Sequence, residues 1–357
     1  MRILLAHNYY QQRGGEDVIF ETEAALLEEH GHQVTRFTLH NDEIQRLGRA
    51  KLVADTLWNR EVQRRLGRII ARDRPQVCHF HNLFPRISPA AYQAARDQGV
   101  PVIQTLNNFR LFCLNGFFLR DGEVCEACLG RRVAWPGVAH RCYRRSAGAS
   151  AVVAALYGGH RLLGTWADAV DLWAVYGSPF VRRKFIQGGL PPHKVVVKPN
   201  VIHPDPGPGP GNGGYAIFVG RLSPEKGLDT LLEAWRRLGR DAPPLRIVGD
   251  GPLAPEVARA AASLPGDLRW LGPRPLDEVM ELVGQARFLI FPSRWYETFG
   301  RVGAEAMARG TPVIASRLGA MADLVDHGRT GLLVRPGDPD DLAAAVCWAS
   351  ANPPRLA

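Results

Sequence analysis

Short apolar runs alternate along the chain with longer segments whose apolar residues recur at helical spacing. Near the start, an apolar run at residues 3–6, a Gly-rich turn at 13–16 and a helical pattern over about 17–30 predict a strand, a loop and a helix. Further strands are predicted at residues 77–80 and 102–105. This alternation favours a parallel sheet that is covered by helices on both faces.

Proline and glycine dominate residues 203–214, and this composition predicts a linker that acts as a hinge. The alternation restarts after it, with strands predicted at residues 215–219, 245–248, 269–271, 288–291, 312–315 and 332–334 and helices at about 228–238, 253–262, 276–284, 301–309 and 339–349. The chain is therefore expected to form two doubly wound α/β domains, residues 1–200 and 215–357, joined by residues 201–214. Any ligand site is expected in the cleft between them, at the carboxyl ends of the strands.

The composition excludes several classes of protein. Of 357 residues, 46% are hydrophobic and 22% are charged, as in globular domains. No apolar run approaches the ~20 residues that span a bilayer, which argues against an integral membrane protein. The opening Met1–His7 is too short for a signal peptide and six cysteines are too few for a disulfide scaffold, so a cytoplasmic protein is expected.

The net charge of +9 is unevenly distributed. Residues 1–200 carry 27 Lys and Arg against 17 Asp and Glu, whereas residues 201–357 carry 17 against 18. A basic first half suits nucleic acid, anionic lipid or a phosphorylated acceptor, and charge alone does not choose among them. Over residues 46–74, apolar residues interleave with arginine at helical spacing, which fits either a helix lying on an anionic membrane or a plain solvated helix face.

A short segment after the strand at 215–219 has the chemistry of an anion site. It places Gly220 and Arg221 at the strand end and Lys226-Gly227 directly before a helix. Two cations on a loop that leads into a helix N-terminus attract an anion, because the exposed backbone N–H groups and the helix dipole add to the side-chain charge. A diphosphate is the natural occupant, and a solvated turn with incidental charges is the alternative.

Two carboxylates, Glu297 and Glu305, flank the Gly-rich entry to the helix predicted at 301–309. One lies in the loop and the other more than a turn into the helix, so they could contact opposite ends of one elongated ligand. The backbone N–H groups of Phe299, Gly300 and Gly303 are expected to point into the cleft. A solvated helix face explains the same spacing without a ligand.

The order of these motifs resembles the retaining GT-B glycosyltransferases of family 4. The motifs are Gly-Arg-Leu-Ser-Pro-Glu-Lys-Gly at 220–227, Val-Gly-Asp-Gly-Pro at 248–252, Glu-x7-Glu at 297–305, Gly-Thr-Pro-Val-Ile-Ala at 310–315 and Gly-Leu-Leu-Val at 331–334. The first half resembles the acceptor domain of that family less specifically, through Gly14-Gly15 and residues 79–82, 105–109 and 196–200. The resemblance implies two Rossmann-like domains that face each other across a cleft, with residues 1–200 on the acceptor side and residues 215–357 binding the donor.

The resemblance also implies roles for individual residues. Arg221 and Lys226 would hold the donor diphosphate, Glu305 the ribose hydroxyls and Glu297 the transferred sugar. The other residues assigned to the donor are Gly14, Gly15, Gly220, Gly249, Phe299, Gly300 and Gly303. Cations that neutralise a departing diphosphate stabilise the charge that develops as the glycosidic bond breaks, so Glu297, Asn107, Arg221 and Lys226 are assigned to catalysis. Front-face attack, with the leaving phosphate taking the acceptor proton, needs no metal.

One position departs from the family pattern. Asn107 follows the strand at 102–105, where the family usually has a histidine that faces the donor sugar. Its amide can hydrogen-bond a hydroxyl but cannot be protonated, so either the donor differs, activity is reduced, or the position has been altered by engineering. His81 and Asn108 are assigned to the acceptor or sugar side, and His79 and His81 either substitute in part for the missing histidine or have structural roles.

Four of the six cysteines lie within about 30 residues of one another. A spacing of Cys113-x11-Cys125-x2-Cys128-x13-Cys142 can form a closed tetrahedral zinc site, with His140 as a replacement ligand. Unlinked thiols and disulfides are the alternatives. The other two, Cys78 and Cys347, are expected to be buried as small apolar residues.

The leading hypothesis is a retaining glycosyltransferase of the hexosyltransferase type that acts in bacterial polysaccharide or glycoconjugate synthesis. It would move a sugar from a nucleoside diphosphate sugar, UDP-sugar rather than GDP-sugar, to a carbohydrate or lipid-linked carbohydrate acceptor. No cofactor is expected for catalysis, peripheral contact with the inner face of the membrane is one interpretation of the basic half, and nucleic acid is not expected as a partner. The alternative is a nucleotide-sugar binding protein with little or no turnover. The family's usual C-terminal helix that crosses back onto the first domain is not evident, which leaves open whether the chain is truncated.

Overall fold

The computed structural model describes residues 1–11, 14–199 and 201–352. Its internal contacts divide it into two compact units, the first containing Met1–Phe118 and Glu126–Asn200 and the second Leu119–Cys125 and Val201–Ala357. Within the described part of the chain, no helix combines the length and the apolar character needed to cross a membrane. Arg13 of the predicted Gly-rich turn and Asn200 of the motif at 196–200 lie outside the described residues.

The first unit is built on a parallel sheet. In chain order, the strands up to residue 200 are β1 (Arg2–Tyr9), β2 (Gln33–His40), β3 (Val77–Phe80), β4 (Val102–Leu106), β5 (Leu119–Arg120), β6 (Glu123–Val124), β7 (Leu172–Tyr176) and β8 (Val195–Lys198). β5 and β6 form a separate antiparallel hairpin, and the other strands form one sheet in the order β2-β1-β3-β4-β7-β8. The order reverses at β1, which pairs with both β2 and β3.

Helices connect these strands. They are α1 (Gly15–Glu29), α2 (Arg49–Leu57), α3 (Arg60–Asp73), α4 (Ala90–Arg96), α5 (Trp135–Ala139), α6 (Ala147–Leu162), α7 (Thr165–Asp168) and α8 (Pro179–Gln187). Polar residues begin several of them, as in α3, where the Asn59 side chain accepts from the backbone N–H groups of Glu61 and Val62. Between β4 and α5, residues 107–134 contain no helix or strand other than the short hairpin, which belongs to the second unit and turns at Asp121-Gly122.

The basic helix α3 uses its apolar face to pack on the protein. Val62, Leu66 and Ile70, at helical spacing, are at most 2% exposed. The exposed face carries the arginines Arg60, Arg64, Arg65, Arg68 and Arg72. Because the apolar stripe is already buried, this helix has no apolar face to insert into a membrane and fits the solvated-face interpretation. A purely electrostatic membrane contact stays a prediction.

The second unit contains a second parallel sheet. Its strands are β9 (Ala216–Val219), β10 (Leu245–Val248), β11 (Leu268–Gly272), β12 (Phe288–Phe291), β13 (Val313–Ser316) and β14 (Gly331–Val334), in the order β11-β10-β9-β12-β13-β14. Counted from β9, this is the 3-2-1-4-5-6 order of dinucleotide-binding folds. The central strands are apolar at every position because helices cover both faces of the sheet. Two doubly wound domains are thereby confirmed.

The helices of the second unit are α9 (Leu228–Leu238), α10 (Ala254–Ser263), α11 (Leu276–Gln285), α12 (Arg301–Ala308), α13 (Met321–Leu324) and α14 (Pro339–Ala351). In α14, Leu342, Val346 and Ala349 face the core. Cys347 is exposed, so the expectation that it is buried was wrong, since it follows Val346 around the helix onto the outer face. Cys78 is buried on β3 as expected.

The Pro/Gly segment is bound along the second unit. Backbone N–H groups of Gly209, Gly211 and Gly213 donate to the carbonyl oxygens of Arg309, Gly284 and Gln285 over 2.7–2.9 Å. The Arg309 side chain also donates to the carbonyls of residues 206 and 207. Pro210, which has no N–H, lies between the first two donors. The latter half of the predicted hinge is therefore hydrogen-bonded along its length to the second unit.

Candidate functional site

The loops that follow β9 and β12 lie side by side at the carboxyl edge of the second sheet. The strand order reverses here, because β10 pairs with one side of β9 and β12 with the other. In doubly wound sheets, such a reversal opens a crevice in which ligands bind. The β9 loop carries Lys226 and the β12 loop carries Glu297, so the fold brings these two predicted residues together.

Lys226 and Glu297 form the centre of the candidate site. Lys226 Nζ donates to Glu297 Oε1 over 2.5 Å. The same oxygen accepts from the Ser293 hydroxyl at 3.0 Å and from Trp295 Nε1 at 2.8 Å. Lys226 Nζ also lies 5.3 Å from the Trp295 ring centroid, a cation–π distance. Among the described residues no hydrogen bond reaches Glu297 Oε2, so that oxygen remains for a ligand.

Gly227 allows the close approach of the two loops. Its φ is +71°, and a Cβ atom at this position would lie 1.9 Å from the carbonyl oxygen of Pro292 in the β12 loop. The loops also share a backbone hydrogen bond of 2.9 Å from Arg294 to Glu225. Since α9 begins at Leu228, the loop places Lys226 immediately before a helix N-terminus, as the anion-site prediction requires.

The remaining predicted residues of these loops have different environments. Arg221 is exposed, and its guanidinium forms no ion pair with any described residue, so its charge is available to a ligand. Gly249, at the end of β10, has a φ of +135°, and a Cβ atom there would lie 1.9 Å from the carbonyl oxygen of Gly220. These two glycines thus have at least a packing role, since they let adjacent strand ends meet.

The entry to α12 offers fewer backbone donors than expected. The N–H of Gly303 donates to the carbonyl of Gly300 over 2.8 Å, so the prediction that it points into the site was wrong. The N–H groups of Phe299 and Gly300 have no acceptor among the described residues. They precede the first turn of α12, where an acceptor-rich ligand is favoured by the helix dipole.

Glu305 is a buried carboxylate one turn into α12. It is 4% exposed, and Arg301 Nε donates to its Oε1 over 2.6 Å. Burial raises the pKa of Glu305 above its usual value of 4.5, although the adjacent Arg301 guanidinium opposes the shift. The two predicted carboxylates therefore have different partners: Glu297 accepts a hydrogen bond from Lys226 of the other loop, and Glu305 accepts one from Arg301 of its own helix.

In the first unit, Gly14 and Gly15 lie at the start of α1. The N–H of Gly14 donates to Asp17 Oδ2 over 2.9 Å, which caps the helix. A Cβ atom at either glycine would meet no atom within 4 Å. The space over this helix start is thus open, as a ligand approach to the backbone requires.

A cavity of about 70 Å³ in the first unit brings together the predicted residues His81, Asn107 and Asn108. His81 follows β3, and Asn107 and Asn108 follow the neighbouring strand β4, so the carboxyl ends of paired strands place them side by side. Asn108 Nδ2 donates to Glu16 Oε1 over 2.8 Å, which fixes its orientation. Burial lowers the pKa of His81 well below 6.5, so its imidazole is neutral.

His79 belongs to a buried hub centred on Glu23 of α1. Glu23 lies 3.1 Å from His79 Nδ1, accepts from the Tyr176 hydroxyl at 2.8 Å and contacts the ammonium of Lys198. His81 Nε2 lies 3.5 Å from the same carboxylate. Glu23, His79 and His81 are the one group among the described residues with metal-ligand geometry. Because the Lys198 ammonium already contacts the carboxylate and repels cations, the group is better described as a hydrogen-bond hub.

Glu23→Gln is expected to lower the free energy of unfolding at pH 7 by roughly 2 kcal/mol, because the amide keeps one acceptor oxygen but removes the buried charge that pairs with the half-buried Lys198 ammonium. Burial alone raises the pKa of Glu23, but the hydrogen bond and charge of His79, with Lys198, outweigh it and hold the pKa below 4.5. The stabilisation is thus present above pH 4.5 and is lost as the pH falls through the folded-state pKa. Urea unfolding across pH should show the variant and wild type converging in acid; a constant difference down to pH 3 contradicts the assignment.

The structure does not bring the four cysteines of the predicted zinc site together. Among the described residues, Cys113, Cys125, Cys128 and Cys142 contribute no group of three within ligand distance. The Cys113 thiol donates to Asn115 Oδ1 over 2.9 Å, and burial raises the pKa of that thiol, which opposes the thiolate that zinc requires. The zinc site stays a sequence-based prediction without support from this arrangement.

Sequence reasoning did not assign roles to several residues that complete these sites. In the second unit they are Ser293, Trp295 and Arg301, and in the first Glu16, Glu23, Arg110 and Trp173. Ser293, Trp295 and Arg301 lie in the same segment as Glu297 and Glu305, and Arg110 lies two residues after Asn108, so these four could have been predicted from their neighbours in sequence. Glu16, Glu23 and Trp173 come from distant parts of the chain, and only the folded sheet shows their proximity to these sites.

Two family models together match most of the chain. The model described as glycosyl transferase 4-like domain matches residues 14–201, and that described as glycosyl transferases group 1 matches residues 213–352. Among solved structures, Anabaena Alr3699/HepE in complex with UDP has a TM-score of 0.67 and 19% identity, covering 100% of this chain and 92% of that one. That likeness shows a shared fold.

Curated relatives match over shorter stretches. The D-inositol 3-phosphate glycosyltransferase of Acidothermus cellulolyticus is 30% identical over 274 residues, which cover 71% of this chain and 55% of that protein. An uncharacterized glycosyltransferase of Methanocaldococcus jannaschii, MJ1178, is 33% identical over 133 residues, or 37% of each chain. The matched region thus spans between about a third and somewhat over half of the length of these relatives.

Proposed function

The chain belongs to the group 1 glycosyltransferases, and from this premise we propose that it transfers a sugar, with retention of configuration, from a nucleoside diphosphate sugar to a hydroxyl acceptor. One observation carries the proposal: Lys226 and Glu297 are in contact at the strand-order reversal of the second sheet, before a helix N-terminus. A cation at that position suits a diphosphate, and a carboxylate with one unused oxygen suits sugar hydroxyls.

The proposed chemistry follows from where charge develops. As the anomeric C–O bond breaks, its electron pair moves to the departing diphosphate, whose growing negative charge is stabilised by Lys226 and by the exposed Arg221. Glu297, whose Oε1 is held by three donors, presents Oε2 to the hydroxyls of the transferred sugar. The leaving phosphate accepts the proton of the attacking hydroxyl on the same face, so no side-chain nucleophile is required.

UDP is the proposed nucleotide. A protein of the same fold, Anabaena HepE, has been solved with UDP-glucose, which is a donor of the proposed type, and with UDP, which remains after such a donor has given up its sugar. A carbohydrate or lipid-linked carbohydrate acceptor is proposed because the first half of the chain carries the basic excess, which suits an anionic acceptor. Synthesis of a polysaccharide or glycoconjugate is the corresponding role.

A calorimetric screen of UDP-, GDP- and ADP-sugars against the full chain tests the proposal, followed by transfer assays with the donor that binds most tightly. Saturable binding of one nucleotide sugar, lost in Lys226→Ala, is expected. If none of the nucleotide sugars binds, the proposed function is wrong. Anomeric configuration in the product, read by NMR, separates retention from inversion.

Donor affinity is expected to fall as the pH is lowered through a midpoint above 4.5, because burial raises the pKa of Glu305 and its protonation removes an acceptor for the ribose hydroxyls. The loss should be about tenfold between the ionised and protonated forms. Calorimetric titration with the nucleotide between pH 7 and 4.5 measures it, and Glu305→Gln should flatten this dependence.

Glu278→Gln is the matched control for that experiment. Glu278 pairs with Arg274 at the same helical spacing, over 3.6 Å, but is exposed on α11. Its replacement should leave the pH profile unchanged. A profile that is equally steep in Glu305→Gln and in wild type contradicts the ribose assignment.

A second candidate, a nucleotide-sugar binding protein with little or no turnover, is favoured by Asn107. Its amide cannot supply the charge or proton that the family's usual histidine offers at that position. Binding without transfer across a panel of acceptors, together with turnover restored by Asn107→His, supports this candidate. Transfer by the wild-type chain excludes it.

A further inference from the structure

The cavity that His81 lines contains polar groups without partners. Trp173 Nε1 belongs to a residue that is 0% exposed, and it has no hydrogen-bond acceptor among the described residues. Arg110 Nε and His81 Nδ1 are likewise buried without a hydrogen bond, whereas His81 Nε2 faces the Glu23 carboxylate at 3.5 Å. All three residues line this one cavity, although they come from β7, from the segment after β4 and from the end of β3.

Several other polar groups that line the cavity have partners. The Tyr92 hydroxyl donates to Gln104 Oε1 over 2.6 Å, and Gln104 Nε2 donates to the His81 carbonyl over 2.5 Å. The two oxygens of Glu16 accept from Asn108 and from Tyr10. Buried polar groups in folded proteins nearly always have a partner, so several unpaired groups around one cavity indicate a polar occupant.

The unpaired groups are mainly donors. Indole and guanidinium nitrogens donate only. The Arg110 guanidinium lies 4.7 Å from the Phe84 ring centroid and forms no ion pair with a described carboxylate, and both oxygens of Glu16, the carboxylate that lines the same cavity, already accept from Asn108 and Tyr10. Unpaired donors beside a cation without a direct ion pair favour a group that only accepts and carries negative charge, which is an oxyanion.

The size of the cavity limits the occupant. A volume of about 70 Å³ corresponds to roughly five water molecules. This is enough for a phosphate or for a carboxylate on a short stem. All residues that line the cavity belong to the first unit.

We propose that this cavity binds an oxyanion, a phosphate or carboxylate group, with Arg110 as its counter-charge and Trp173 Nε1 as a neutral donor. The further assignment, that the bound oxyanion is the anionic group of the acceptor, rests on the proposed glycosyl transfer. The existence of an oxyanion site in the cavity does not depend on that function. Arg110 and Trp173 then select acceptors by charge, and a neutral acceptor of the same shape binds more weakly.

The test uses the full chain and the indole ¹H–¹⁵N signal of Trp173, which is identified by its loss in Trp173→Phe. Inorganic phosphate and acetate are titrated separately, against sodium chloride at matched ionic strength and against glucose as a neutral hydroxyl ligand. The Trp173 signal should shift saturably with phosphate, acetate or both. The anion that binds with the higher affinity identifies the oxyanion class. No saturable shift with either, or a shift with glucose alone, overturns the proposal.

Arg110→Gln should lower the affinity for the more tightly bound oxyanion by at least about tenfold, because a charge-assisted donor is lost. The affinity is measured from the same Trp173 signal. If Arg110→Gln does not fold, Arg110→Lys keeps the charge without the planar donor fork and should still weaken binding several-fold. Arg131→Gln is the matched control, since Arg131 lies 5.2 Å from the Trp135 ring but on the surface. Equal affinity in Arg110→Gln and in wild type contradicts the proposal.

Failure of this inference is distinguishable from failure of the proposed function. If nucleotide sugars bind and transfer proceeds while the Trp173 signal does not shift with either oxyanion, only the proposal of the oxyanion site is wrong. If the Trp173 signal responds and depends on Arg110 while no nucleotide sugar binds, the oxyanion site stands and the proposed transfer fails.

Discussion

Lys226→Ala is expected to lower kcat/KM for sugar transfer by about a hundred- to a thousandfold. The ammonium is held by Glu297 over 2.5 Å and by the Trp295 ring, so its position is fixed before the donor binds. A cation that is already in place stabilises the departing diphosphate without reorganisation at the moment of reaction. Steady-state kinetics with the donor found in the nucleotide-sugar screen measure the loss, and kcat should fall as well as kcat/KM.

Lys184→Ala is the matched control. Lys184 pairs with Glu126 over 2.6 Å in the first unit, and its side chain is 13% exposed, so the variant loses the same kind of contact without changing the Lys226–Glu297 pair. Kinetics of this variant should stay within about twofold of wild type. Near-normal transfer by Lys226→Ala, or an equal loss in both variants, contradicts the diphosphate assignment.

Gly227→Ala is expected to lower the free energy of unfolding of the second unit by about 4 kcal/mol. The left-handed backbone costs an alanine about 1–2 kcal/mol, and the added Cβ would lie 1.9 Å from the Pro292 carbonyl oxygen. No side chain can move aside, since the obstacle is backbone, so the β9 and β12 loops must separate. That separation also displaces Lys226 from Glu297, and donor affinity should fall together with stability.

Gly272→Ala isolates the steric part of this effect. Gly272 in β11 has the same φ of +71°, but nothing lies within 4 Å of a Cβ atom there. Urea denaturation should therefore show a loss of only about 1–2 kcal/mol for this control. Similar losses for the two variants contradict the inference that the carbonyl contact matters.

Much of the second unit could be predicted from the sequence because its signals are local. The strands at 245–248 and 288–291 and the start of α9 at Leu228 agree with the apolar runs and the Gly227 turn. The positions of Lys226 and Glu297 followed from strand ends on neighbouring strands of a doubly wound sheet. The Gly303 N–H was predicted wrongly because sequence spacing does not show that the first turn of α12 uses it internally.

The first unit was harder to predict from the sequence because its side-chain clusters combine residues that are far apart along the chain. Glu23 meets Tyr176 across 153 positions of sequence, and no pattern around either residue marks the pairing. Strand β7, with the run Leu172–Tyr176, and the helix α6 were not predicted as elements. The cysteine spacing indicated a metal site, but spacing alone cannot fix the approach of four thiols across an irregular segment.

The spacing of the backbone hydrogen bonds along the Pro/Gly segment limits which insertions the segment can accept. Gly209, Gly211 and Gly213 donate at every second position, and the residues between them are Pro210, which has no N–H, and Asn212. Inserting one residue between Gly209 and Pro210 puts the proline where the Gly211 donor is required, whereas inserting two residues there keeps an N–H at each donor position. Evolution and design are therefore expected to lengthen residues 209–213 in even steps.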